Sequence, residues 1–293
     1  MSATIRSLAE RATHGVTIRR HLPAPFGSGT FLVSTEGGLK YLRRSLDTVD
    51  PVLVRLAGEV VKPGDVVWDV GANLGLFSFC AASRAGRSGA VVALEPDVWL
   101  VRLLRRSARG RVTGAPVEVV PVALSDRVGI SRFHIARRSR ATSHIEGFGT
   151  DQAGGTRAVH SVPTTTLDHL LDDLPTPNVV KIDVEGAEAL VLAGARRMLR
   201  SARPTVICEV FEPSADRVAA SLAAADYVVF DADRFPCADP VSRPPLATLA
   251  LPRERIPPGQ TRRRQLQPSP RAVPARANPS TPAVSKSVPM VRE

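Results

Sequence analysis

The feature that most constrains this chain is an apolar run that ends in a glycine turn and passes at once into a helical pattern. Val66 to Val70 reads as a buried strand, and it leads through Asp69-Val70-Gly71-Ala72-Asn73-Leu74-Gly75 into the helical stretch Leu76 to Ala85. Such a turn lets a ligand approach the backbone closely, because glycine carries no Cβ and tolerates positive φ. The next strand, Ala90 to Leu94, delivers Glu95, twenty residues past Gly75. An acid at that place can accept both ribose hydroxyls of a nucleoside. Asn73 stands where a dinucleotide fingerprint needs its second glycine, which argues against pyrophosphate binding and against a dehydrogenase. Asp69 is placed to face a cationic amino group. An adenosine, a positive charge and no phosphate describe S-adenosylmethionine, with Asp69, Gly71, Asn73, Gly75 and Glu95 as its expected binding residues. The bland alternative is an ordinary glycine turn beside a surface acid.

The rest of the chain repeats the alternation. Asp50-Pro51 starts a helix over Val52 to Val61, an N-cap acid followed by proline at the first helical position. Asp97 caps a helix that runs to about Ala108. Val117 to Val122 is a strand, Ile130 to Ala136 an extra strand, and residues 137 to 160 a polar, Gly-rich loop. Leu167 to Leu171 is a short helix, Val179 to Asp183 a strand, Ala187 to Leu199 a helix, Val206 to Val210 a strand and Asp216 to Ala225 a helix. Tyr227 to Phe230 and Leu246 to Leu251 are the last strands. This order predicts an α/β fold of Rossmann-like, doubly wound, mostly parallel type. Ahead of it, Ile5 to Ala12 reads as a short helix. Val16 to His21 and Thr30 to Leu42 read as β-like runs, the second turning at Glu36-Gly37-Gly38. The expected organisation is an N-terminal accessory segment (1–50), a catalytic domain (51–251) and a disordered tail (252–293).

A second chemical signal sits at the end of the fourth strand of the main sheet, in Lys181-Ile182-Asp183-Val184-Glu185-Gly186-Ala187-Glu188. Ligands of open α/β sheets lie beyond the carboxyl ends of the strands near the switch point. Asp183 and Glu185 therefore emerge beside the expected cofactor, where an acid can orient a hydroxyl or take its proton. Asp183, Glu185 and Glu209 together offer oxygen ligands of the kind Mg²⁺ or Ca²⁺ prefers, so a divalent metal is the alternative to a bare carboxylate base. Helix capping by the same acids is the structural alternative. His144, in the long loop, is a further candidate general base. Pro236-Cys237 follows the sixth strand rather than the fourth, so Cys237 reads as inert.

These blocks together resemble the FkbM family of SAM-dependent methyltransferases. The resemblance runs from about Lys62 to Glu212. It is carried by Val67-Trp68-Asp69-Val70-Gly71-Ala72-Asn73-Leu74-Gly75, by Ala93-Leu94-Glu95-Pro96, by Ala123-Leu124-Ser125-Asp126, by Thr165-Thr166-Leu167-Asp168 and above all by Lys181 to Glu188. It implies a class I methyltransferase fold whose last strand inserts antiparallel, a contribution of Ala123 and Leu124 to the cofactor site, and O-methylation of a hydroxyl on a small molecule, sugar or secondary metabolite.

Composition decides between partners. The net charge of +11 suggests nucleic acid, but nine of the 39 Lys and Arg residues and only two acids lie in residues 252–293, beside nine prolines. The charge thus belongs to a segment that cannot bury enough apolar surface to order itself. That disfavours a nucleic-acid methyltransferase relative to a small-molecule or glycan acceptor, and a non-catalytic nucleoside-binding module is the third reading. Three cysteines exclude a disulfide framework. No apolar run reaches the ~18 residues of a membrane span, and no signal peptide is visible, so the expected location is the cytoplasm.

Overall fold

The computed structural model describes residues 15–110, 113–149, 153–236 and 239–256. The expected helix at Ile5 to Ala12, Cys237 and the chain beyond Ile256 lie outside the described residues.

Two antiparallel strands open the fold: β1 (Thr17–His21) and β2 (Thr30–Ser34), paired from Thr17↔Ser34 to His21↔Thr30. The hairpin connection is therefore residues 22–29, and Glu36-Gly37-Gly38 is not a hairpin turn. Ser34 Oγ accepts the Glu36 N–H, and the chain coils through single 3₁₀ turns at Thr35–Gly37 and Leu39–Leu42. Gly37 is needed there for close approach: a Cβ would collide with the Leu74 side chain. Helix α1 (Pro51–Val60) begins as expected, with the Asp50 carboxylate accepting the Leu53 N–H at 3.0 Å.

Strand β3 (Val66–Val70), helix α2 (Leu76–Ala85), strand β4 (Ala90–Leu94), helix α3 (Val98–Arg109) and strand β5 (Val117–Val120) follow in strict alternation. The chain then leaves the main sheet. Strands β6 (Ala123–Leu124), β7 (Gly129–Ala136), β8 (His144–Ile145) and β9 (Thr156–Thr165) make a separate four-stranded sheet in the order β6-β9-β7-β8. The expected loop over residues 137 to 160 is thus replaced by β9 from Thr156 onward. β9 is polar and largely exposed, with Val162 its main anchor beside Phe133 and Ile135, so it carries almost no apolar alternation.

The main sheet resumes with the short helix α4 (Leu167–Leu170), β10 (Val179–Ile182), α5 (Glu188–Ala193), α6 (Arg196–Ser201), β11 (Thr205–Glu209), α7 (Ala215–Ala224), β12 (Tyr227–Asp231), β13 (Pro240–Val241) and β14 (Ala247–Pro252). The single helix expected from Ala187 to Leu199 is broken at Gly194-Ala195. Gly194 packs against the Ser125 carbonyl, and the Asp168 carboxylate caps the second piece through the Arg197 and Met198 N–H groups.

The strand order is β13-β12-β14-β11-β10-β3-β4-β5. β11, β10, β3, β4 and β5 run parallel, while β14 lies antiparallel between β11 and β12. This is the Rossmann-like class I methyltransferase architecture, with the antiparallel last strand where it was expected. The sheet is buried on both faces. Trp68, Leu94 and Ile182 face α5 to α7, and Val67, Leu249 and Phe230 face α1 to α3. Phe31, Val33, Tyr41 and Leu46 of the N-terminal segment join the second of these cores. Past Leu251 the chain stays tied down: Arg253 pairs with Asp226 at 2.7 Å, Glu254 with Arg203 at 2.6 Å, and Ile256 is buried. Among the described residues no helix is long and apolar enough to cross a membrane.

Candidate active site

The order of the main sheet reverses between β3 and β10, and beyond the carboxyl ends of these strands lies a cavity of about 450 Å³. Open α/β sheets bind ligands at this crevice. Gly71, Asn73, Glu95, Ala123, Leu124, Asp183 and Glu185 all line it, as does the β7–β8 connection from Arg138 to Ser143.

Local chemistry explains each placement. Gly71 has φ +74°, and a Cβ there would strike the Asp183 carbonyl oxygen, so β3 and β10 can end side by side only over a glycine. Gly75, at φ +89°, is a packing glycine and does not reach the cavity; a Cβ would lie 2.6 Å from the Phe79 ring and 2.7 Å from Leu104. Asn73 takes a left-handed conformation, φ +51°, which Asn tolerates better than most side chains. Its side-chain oxygen is buried without a hydrogen-bond partner. Glu95 is held by two backbone donors, Asn73 N–H at 2.8 Å and Asp97 N–H at 2.9 Å, one to each carboxylate oxygen. Burial pushes its pKa up to about 8, the Asp97 charge adds to this, and the two amides oppose it. A carboxylate has about four acceptor sites, so two amides leave capacity for a ligand's hydroxyls.

Asp69 does not face the cavity. It is fully buried under the glycine loop, where Ser78 Oγ donates to Oδ2 and Lys181 Nζ stands 3.1 Å from Oδ1. In the parallel register Lys181 sits directly opposite Asp69. That pairing directs both side chains to the same face of the sheet and keeps Asp69 away from ligand. Lys181 is the site residue that motif reading passed over. Its ammonium donates to the Gly71 carbonyl at 2.8 Å and lies 3.4 Å from Asp183 Oδ2. Burial works against that charge, but Asp69 and then Asp183 outweigh it and hold the pKa above the ordinary lysine value. The signal that could have found it was positional: an isolated lysine in an otherwise apolar central strand needs buried acids beside it.

At the other end of the cavity Asp183, partly exposed, follows β10, with Glu185 in a left-handed conformation at φ +55°. Burial raises the Glu185 pKa to about 8, and the Asp183 and Glu209 charges add to it. Glu209 is raised to about 7 by burial and then by Asp183. Glu188 is a helix cap: it accepts Gly186 N–H at 2.7 Å and Ser214 Oγ at 3.0 Å. Asp50, expected only as a cap, also lines the cavity, beside Lys40. Among the described residues no three His, Cys, Asp or Glu side chains form a group that could hold a metal ion.

His144 is also misplaced by the sequence reading. In β8 its neighbours Ser143 and Ile145 line the cavity, and alternation turns His144 outward. It stacks on His134 with ring centroids 5.5 Å apart, and Nδ1 lies 3.1 Å from the Thr142 carbonyl. The residues that do cover the cavity, Arg138 to Ser143, are anchored by Arg140. Its guanidinium pairs with Glu36 and Asp97 and lies 4.8 Å from the Trp99 ring centroid.

The donor set fits S-adenosylmethionine. The orphaned Asn73 oxygen and the spare acceptor sites of Glu95 ask for a ligand that brings N–H and O–H groups, and the acid-rich wall suits a cation.

Comparison with known proteins agrees with the motif reading. The family model described as the methyltransferase FkbM domain matches residues 69–229. The hexuronic acid methyltransferase AglP of Haloferax volcanii is 32% identical over 160 residues, 53% of this chain and 60% of that protein. The AMB antimetabolite synthetase AmbE of Pseudomonas aeruginosa is 42% identical over 103 residues, 35% of this chain and 4% of that one. The chain therefore spans less than two thirds of the length of both relatives. Among solved structures, the methyltransferase FkbM of Methylobacillus flagellatus KT aligns with a TM-score of 0.40 at 14% identity, over 73% of this chain and 56% of that one. The precorrin-6Y C5,15-methyltransferase of Geobacter metallireducens GS-15 aligns with a TM-score of 0.42 at 16% identity, over 69% and 87%.

Proposed function

The chain belongs to the FkbM methyltransferase family, and from that premise we propose that it transfers a methyl group from S-adenosylmethionine to a hydroxyl of a sugar or other small molecule. The observation that carries the reading is that one cavity joins Glu95, a ribose-type acceptor, to Asp183, a carboxylate positioned by Lys181 at the opposite wall. When bound, S-adenosylmethionine supplies an electrophilic methyl group on a sulfonium. Glu95 and Asn73 hold the nucleoside, and Gly71 lets β3 and β10 end side by side beneath it. Asp183 accepts the proton of the acceptor hydroxyl as the carbon–oxygen bond forms and the carbon–sulfur bond breaks, leaving a methyl ether and the neutral thioether. Holding the reactants in line supplies much of the rate, and the positioned base adds typically 10²–10⁴-fold.

The acceptor class draws on the hexuronic acid methyltransferase relative. Lys40 and Arg138, exposed at the cavity wall, are available to a sugar carboxylate. Location in the cytoplasm and a glycan or small-molecule partner complete the proposal. Calorimetry with S-adenosylmethionine tests the cofactor. Transfer of radiolabelled methyl to a panel of uronic acids, neutral sugars and their glycosides tests the chemistry, with a labelled methyl ether expected. Binding of NAD in preference to S-adenosylmethionine, or label recovered only on nitrogen or carbon, would overturn it.

A further inference from the structure

A second cavity, about 230 Å³, lies on the far side of Asp50, Asp183 and Glu209, which line both it and the larger one. Its character is different. α1 contributes Val52, Leu53 and Leu56, the sheet contributes Ile207, and the start of β14 contributes Ala247 with Leu246 just before it. Leu246 is 55% exposed, and Val52 and Leu53 are only half-buried, although each belongs to a residue type that normally loses water on folding. Apolar side chains held open to solvent around a concave space are the usual lining of a ligand pocket. Its charged groups gather around the wall shared with the larger cavity, with Lys181 beside Asp183; Asp233 and Thr248 lie apart.

We propose that this second cavity is an acceptor subsite that takes a compact apolar group, a short alkyl chain or a single aromatic ring, carried by the molecule whose hydroxyl meets Asp183. The inference rests on the reading of Asp183 as the group that meets the acceptor. Asp183 stands between the two spaces: it lines the cofactor cavity on one side and the apolar space on the other. The larger cavity also has apolar walls, but it has the cofactor to hold; a hydroxyl placed at Asp183 can direct its carbon skeleton into the second space, whose lining is mostly hydrocarbon. The lining carries four carboxylates, Asp50, Asp183, Glu209 and Asp233, against one ammonium, Lys181, which Asp69 and Asp183 already engage, so a charged acid is repelled from this subsite and a neutral apolar group is admitted. The acceptor class is thereby narrowed to hydroxyl compounds with an apolar substituent near the reacting oxygen, such as an alkyl or aryl glycoside.

The probe is 4-fluorobenzyl alcohol, a hydroxyl on one aromatic ring, observed by fluorine NMR with the full chain saturated by S-adenosylhomocysteine. The wild type is expected to broaden and shift the resonance saturably, and glycerol, which has the hydroxyls without the ring, is expected not to compete. Ala247→Phe fills the space and is expected to weaken the probe at least tenfold while S-adenosylhomocysteine affinity changes less than twofold. Leu246→Asp, at an exposed position that does not threaten folding, is expected to act in the same direction by putting a charge on the apolar wall. No saturable binding in the wild type overturns the proposal, and so does binding that survives both variants. In either case an intact methyl transfer to other acceptors, lost in Asp183→Asn, leaves the reading of Asp183 standing. If wild type and Asp183→Asn transfer methyl equally while the probe still binds, that reading fails and the cavity does not.

Discussion

Replacing Lys181 by Met removes the one ammonium that faces both Asp69 and Asp183. The two acids stand in different surroundings, and this sets the magnitude. Asp183 is partly exposed and can recover water. Asp69 is fully buried and keeps only the Ser78 hydroxyl as a partner. Removing one partner of a buried pair typically costs ~3–5 kcal/mol because a charge is left uncompensated. For a domain of this size 1 kcal/mol is about 2–4 °C in Tm. Lys181→Met should therefore lower Tm by roughly 6–20 °C. The test is a double-mutant cycle in urea: Asp69→Asn alone, Lys181→Met alone, and both together. Asp69→Asn in the Lys181→Met background removes the stranded charge and should restore most of the lost stability, giving a coupling of at least ~2 kcal/mol, within the range that neighbouring groups show. A Lys181→Met protein as stable as wild type, or a double variant as unstable as the sum of the singles, would refute the assignment of Lys181 as counter-charge to the glycine loop.

Three further outcomes follow from the same geometry. Glu95→Ala should weaken S-adenosylmethionine binding by about 1.5–3 kcal/mol, the worth of hydrogen bonds to a charged group, measured by calorimetry, and should also lower Tm, because the Asn73 and Asp97 amides lose their acceptor. Gly71→Ala should weaken cofactor binding and lower Tm, because the new Cβ meets the Asp183 carbonyl at a backbone of φ +74° and forces the ends of β3 and β10 apart; an unchanged dissociation constant and Tm would contradict the packing of the two strand ends over this glycine. Glu185 has a folded pKa of about 8 against an ordinary 4.5, so its folded form favours the proton. Its stabilising preference is complete below about 4.5 and is lost as pH rises to about 8. Glu185→Gln should accordingly leave Tm unchanged at pH 5 and raise it relative to wild type at pH 8, in thermal melts at both values.

What the sequence made legible was whatever has a local cause. The Asp50 and Asp97 caps, the glycine loop and the buried strands around Trp68 and Ile182 announce themselves through spacing and apolar runs. So does the crevice they enclose, with Glu95 and Asp183 on its walls. What was not legible depends on partners far along the chain. Asp69 looks like a ligand-facing acid until the parallel register places Lys181 opposite it. Gly37 looks like a hairpin turn until Leu74 is found against it. β9 hides because its one strong anchor, Val162, meets Phe133 across an otherwise exposed sheet. His144 and Ser143 differ by one residue in sequence and by a face of a strand in space, and only the sheet decides which of them reaches the cavity.

The proposed role of Asp183 as the base of a methyl transfer is tested by the turnover of Asp183→Asn with S-adenosylmethionine and the best hydroxyl acceptor of the sugar panel, taken together with its cofactor dissociation constant. The amide keeps the shape of the side chain and removes the proton acceptor. A base at this position requires a cofactor affinity within about threefold of wild type and a turnover reduced by ~10²–10⁴-fold, the usual cost of losing a positioned base. Turnover equal to wild type would contradict it, leaving the acids at the end of β10 as helix caps and the proton to another group.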